Sequence, residues 1–71
     1  MKKQFGENLR RIRKDRKLSL QKVEDLTGIG LHLIWNYEKG ITEPGLTNII
    51  RLASALNVSP GVLLEGCDCH E

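Results

Sequence analysis

Two stretches of this chain concentrate side chains able to do chemistry, LHLIWN at residues 31–36 and EGCDCHE at residues 65–71. In the first, His32 offers a ring nitrogen that donates and one that accepts, and Asn36, about one helical turn later, offers an amide that does both. This is hydrogen-bonding chemistry without a nucleophile. The serine, histidine and acidic side chains fall on separate short helices, no phosphate-binding glycine loop is present, and 71 residues leave no room for a deep pocket, so an enzyme is not expected. In the second stretch, the thiols of Cys67 and Cys69, the imidazole of His70 and three carboxylates stand within seven residues. Thiolate and imidazole suit zinc or copper(I). Adjacent ligands on one tail do not complete a four-ligand site by themselves, so neither a metal nor a cofactor is assigned to Cys67, Cys69 and His70, and a functionally quiet terminus is expected.

The elements that must position the first stretch are short helices. Phe5, Leu9 and Ile12, spaced by four and three, put an apolar stripe on one face of a helix over about residues 3–16. Ser19 is a suitable N-cap for LQKVEDL, in which Leu20, Val23 and Leu26 recur every third residue, and the helix they predict runs to about Thr27. Gly28 follows as the residue that takes a left-handed conformation past a helix end without a clash. Gly30 opens a third helix that Lys39-Gly40 closes, and ITEPG, with Pro44, is a loop. Leu46, Ile49, Ile50, Ala53 and Leu56 mark a fourth helix that Asn57 ends. Ser59-Pro60 opens a fifth, to about Leu64, because proline suits the first helical position. No strand, repeat or low-complexity run interrupts them. The expected fold is an all-α, compact five-helix bundle over residues 1–65, with residues 66–71 as a tail.

On the third helix Leu31, His32, Trp35 and Asn36 share one face, while Ile34, Tyr37 and Glu38 turn toward the bundle. Charge is distributed unevenly along the chain. The net charge is only +2, but residues 1–17 carry eight Lys/Arg against Glu7 and Asp15, and the remainder carries three against seven acids. The basic surface is therefore N-terminal. No apolar run is long enough for a membrane span and MKKQFGENLRR has no signal-peptide core, which predicts a cytoplasmic protein. No small-molecule substrate is indicated.

Between about Leu9 and Leu64 the segments LRRIRKDRKLSL, TGIG, IWNYEKGITEP and LTNIIRLASALNVSPGVLL stand in an order that resembles the phage repressor and Cro-like helix-turn-helix family, also called the xenobiotic-response-element family. Tyr37-Glu38-Lys39-Gly40, followed by Pro44 and by LASALNVS, carries the resemblance most specifically. It implies a lambda-repressor-like DNA-binding domain, a transcriptional regulator acting as a homodimer on a palindromic double-stranded operator, with a recognition helix at about 30–38. It also implies an architectural ion pair between Arg13 and Glu38, and base-facing positions at Leu31, His32, Trp35 and Asn36.

Asn36 can pair with adenine through two hydrogen bonds, and Leu31 can meet a thymine methyl. The expected phosphate contacts are Arg10, Arg11, Lys14, Lys17, Gln21, Lys22, Lys39 and the backbone at Gly40. Val58, Pro60, Val62, Leu63 and Leu64 present more apolar surface than a short terminal helix buries alone, and so form the expected dimer interface. The chain departs from the family at Leu20, where a glutamine is usual, at Glu24, where a small alanine is usual, at Gly30, which lacks the usual capping hydroxyl, and at Glu43 in an otherwise often basic loop. Leu31, Leu33 and Trp35 also allow an alternative, a protein-interaction module that uses the same face to dock another protein, as in an antirepressor or a regulator subunit.

Overall fold

The computed structural model describes residues 2–67, and among these all regular structure is helical: α1 (Lys2–Asp15), α2 (Leu20–Thr27), α3 (Leu31–Glu38), α4 (Leu46–Leu56) and α5 (Pro60–Leu63). Among the described residues no helix is long and apolar enough to cross a membrane. The boundaries follow local chemistry. Ser19 accepts the Lys22 N–H at 3.0 Å and starts α2, and Gly28, at φ 77°, ends it by donating its own N–H to the Glu24 carbonyl. Asn57, at φ 60°, ends α4. Pro60 occupies the first turn of α5.

One core joins all five helices. Phe5, Leu9 and Ile12 of α1 meet Val23 of α2, Ile34 and Tyr37 of α3, Ile49, Leu52 and Leu56 of α4, and Leu63 of α5. Two of the expected apolar stripes differ from those observed. Leu26 is exposed because steps of three residues rotate only about 300°, which leaves it about 120° from Leu20 around the α2 axis. On α4 the buried stripe is Ile49, Leu52, Ala53 and Leu56, the full i, i+3, i+4, i+7 pattern. Ile50 stands about 100° to one side of that stripe and Leu46, the first residue of the helix, is 71% exposed.

Two polar or backbone contacts hold the ends of the bundle. Asn8, only 1% exposed, donates to the carbonyls of Leu63 at 2.9 Å and Glu65 at 2.7 Å and accepts from the Gln4 amide at 3.0 Å, tying α1 to the end of α5. Gly6, buried within α1, lets that helix touch the backbone of α3: a methyl there would collide with the Tyr37 carbonyl oxygen and lie 2.8 Å from that of Glu38.

Candidate functional site

Five separate contacts fix α3. The Phe5 ring meets the Tyr37 ring edge to face at 6.1 Å, and the Asn48 amide of α4 donates to the Tyr37 hydroxyl at 2.9 Å. Close approach at Gly6 sets the spacing from α1. The Arg13 guanidinium holds the Glu38 carboxylate through Nε at 2.6 Å and Nη2 at 3.0 Å. A carboxylate at a helix C-terminus opposes the helix dipole, and the guanidinium supplies the cation that offsets this. The fifth contact lies at the opposite end. Gly30 has no side chain to cap α3, and the Glu24 carboxylate of α2 accepts the Leu31 N–H at 3.3 Å instead.

The turn between α2 and α3 is braced locally. Thr27 donates its hydroxyl to the Val23 carbonyl at 2.7 Å and accepts the Ile29 N–H at 3.0 Å, while Ile29 inserts its side chain in the core. These contacts join α2 and α3 as a helix-turn-helix unit.

With Ile34 and Tyr37 buried, α3 exposes His32 and, at 44%, Trp35, and leaves Leu31 and Asn36 half-covered. Leu20, Leu31, His32 and Trp35 line one shallow depression of about 390 Å³ whose surface is almost entirely carbon. Lys39 Nζ lies 5.6 Å from the centre of the Trp35 ring, within cation–π range.

The expected cations divide into groups. Arg10, Arg11, Lys14 and Lys39 come together with Lys3 along a groove of about 650 Å³, where Glu7, Asp15 and Glu38 also lie. Glu38 is neutralised there by Arg13. Lys39 therefore lines the basic groove and also stacks on Trp35, one wall of the apolar depression. Lys17 and Lys22 are exposed on either side of Ser19. Gln21 donates its amide to Glu24 at 2.9 Å and Asp25 at 3.1 Å, so its donor is engaged within α2.

The Gly40 N–H, expected to meet a phosphate, is engaged within the chain. A helix C-terminus presents carbonyls rather than free N–H groups. Gly40 donates to the Tyr37 carbonyl and Ile41 to that of Asn36, and the left-handed φ of 74° at Gly40, packed against the Lys3 backbone, makes it a helix-ending residue.

Leu63 is likewise corrected: at 0% exposure it belongs to the core of its own chain and is not available to a partner. Val58, Val62 and Leu64 are half-covered against that core and Pro60 is exposed. Cys67 packs on the core edge, whereas Cys69 and His70 lie outside the described residues. Gly6, Asn8 and Asn48 are positioning residues that the sequence did not single out. Of the three only Asn8 carries a sequence signal, a polar residue between Phe5 and Leu9 on an apolar helical face.

A helix-turn-helix domain family matches residues 6–68. The uncharacterized HTH-type transcriptional regulator YqaE of Bacillus subtilis is 39% identical over 62 residues, covering 87% of this chain and 53% of that protein. The SPbeta prophage-derived uncharacterized HTH-type transcriptional regulator YonR, of the same organism, is 37% identical over 62 residues, covering 87% and 57%. The chain thus spans about half the length of the curated relatives it matches. Among solved structures, the restriction-modification controller protein C.AhdI from Aeromonas hydrophila superposes with a TM-score of 0.84 at 33% identity, over 86% of this chain and 92% of that one. An HTH_3 family transcriptional regulator from Vibrio cholerae superposes with a TM-score of 0.86 at 29% identity, over 93% and 37%.

Proposed function

The chain belongs to the phage-repressor and Cro-like helix-turn-helix family, and on that premise we propose that it is a DNA-binding transcriptional regulator whose α3 enters the major groove of double-stranded DNA. The relatives that match over this domain are named as HTH-type transcriptional regulators, which supports the reading. The observation that carries the proposal is continuity: the outward face of α3 and the basic groove on α1 meet at Lys39, so a helix that reads bases is flanked by cations that can hold phosphates.

Leu31, His32, Trp35 and Asn36 face the bases in this arrangement, and Arg10, Arg11, Lys14 and Lys39 the backbone. Lys17 and Lys22 supply further cations beside the start of α2. The half-covered side chains of Val58, Val62 and Leu64, with Pro60, form the face on which a second copy docks, and a two-fold dimer binds a palindrome with half-sites about one helical turn apart.

Selection of bound duplexes from a random pool tests this directly. Wild type should enrich a two-fold symmetric motif, and Asn36→Ala should relax one position in each half-site. A folded protein that enriches nothing at any salt concentration overturns the proposal. In that event the apolar depression on α3 favours the second role, docking of another protein.

A further inference from the structure

Resting on the DNA-binding proposal, we infer that Trp35 is a positioning residue: its ring is the platform that holds the Lys39 ammonium in place for a DNA phosphate, so that Trp35, although it stands on the outward face of α3, serves phosphate contact and not the choice of base. Residues 35 and 39 are four apart, the helical spacing that brings side chains together on one face, and Lys39 Nζ lies 5.6 Å from the centre of the indole ring.

The lysine takes the ring in preference to nearer charges of its own chain. Lys39 lines the same groove as the carboxylates of Glu7, Asp15 and Glu38, yet among the described residues the sole ion pair is the one between Arg13 and Glu38. Two prongs of Arg13 engage both oxygens of Glu38, so the carboxylate next to Lys39 in sequence does not draw the lysine away. The ammonium rests on a neutral ring, and no anion of the chain competes with a phosphate for it. A lysine on a free, rotatable stem must be ordered when it meets its partner, which costs binding free energy. A stacked lysine is ordered beforehand. The chemistry of Trp35 suits this task better than base reading, since indole has one donor and no acceptor and cannot make the paired contact by which a side chain singles out a base. At 44% exposure, the ring is not held where it is by burial in the core.

The test measures affinity for the duplex enriched by the wild-type protein as a function of salt, with the fold of each variant checked by circular dichroism. Lys39→Gln should lower the salt slope by about 0.9, the share of one phosphate contact. Trp35→Leu keeps the lysine and removes the ring. It should bind about two- to five-fold more weakly, the range of an exposed cation–π contact, shift the slope in the same direction as Lys39→Gln, and enrich the same sequence as wild type. Trp35→Phe, which restores an aromatic face, should recover most of the loss. In a Lys39→Gln background Trp35→Leu should have no further effect, because the two side chains act as one unit. Equal losses from Trp35→Leu with and without the lysine, no loss in either background, or an enriched sequence that changes at a base position would each overturn the inference while DNA binding stands. Failure of the wild type to enrich any sequence overturns the DNA-binding proposal itself, which separates the two.

Discussion

Arg13 and Glu38 meet in a two-pronged ion pair, with Nε 2.6 Å from one carboxylate oxygen and Nη2 3.0 Å from the other, and the remaining Nη1 donates to the Leu18 carbonyl at 2.8 Å. One side chain of α1 thereby fixes the C-terminal end of α3 and the turn leading into α2. With side-chain exposures of 11% and 4%, the pair is shielded from solvent on both sides. Removing one partner leaves the other charged, covered and unpaired, which typically costs about 3–5 kcal/mol. Glu38→Ala and Arg13→Ala should each lower unfolding stability in urea by roughly that amount. Combining Arg13→Ala and Glu38→Ala should cost less than the sum of the single changes, because the coupling is lost only once. Additive losses would mean that the pair contributes nothing specific.

Gly6→Ala sets helix propensity against packing. In an open helix the change stabilises by up to about 1 kcal/mol. Here the new methyl meets the carbonyl oxygens of Tyr37 and Glu38, which are backbone atoms and cannot swing aside. The melting temperature should fall, and the Trp35 environment should shift in near-ultraviolet circular dichroism as α3 is pushed outward. A rise in melting temperature would show that the two helices do not touch at this point.

Asn8→Ala removes the amide that satisfies two carbonyls near the end of α5. Stranding covered acceptors costs about 1–3 kcal/mol each, and the loss should concentrate at the C-terminal end. Amide hydrogen exchange at Leu64 and Glu65 should accelerate more than exchange in α3. Uniform acceleration throughout the chain would instead assign Asn8 to general stability.

These contacts also mark where the amino-acid sequence stops being informative. Helix limits were legible because their causes are local: the Ser19 hydroxyl reaches the Lys22 N–H, Gly28 and Asn57 take left-handed conformations, and Pro60 fits a first turn. The Arg13–Glu38 partnership came from resemblance, since nothing in spacing alone joins residues 25 positions apart. Gly6 could not be read, because its role depends on where the backbone of α3 passes. Glu24 and Gly30 look like two unrelated departures from the family, yet they act together, the carboxylate of one standing in for the cap that the other lacks. Leu63 was misassigned for a related reason. Val62, Leu63 and Leu64 are three successive apolar positions that look alike in sequence, and only the packing of α5 against the rest of the bundle selects which one is covered.

The basic groove carries the last prediction. A lysine or arginine that contacts a phosphate releases condensed counterions, so the logarithm of affinity falls with the logarithm of salt by about 0.9 per contact. Arg10→Gln and Lys14→Gln should each lower that slope by about 0.9 while leaving the selected sequence unchanged, because phosphates position the protein without specifying bases. Arg51 is the matched control. It is equally exposed but lines a separate depression with Leu26, Thr27, Ile50, Ser54 and Ala55 between α2 and α4. Arg51→Gln should leave the slope where it was. Equal reductions for all three variants would show a response to net charge alone, and would remove the groove on α1 from the contact surface.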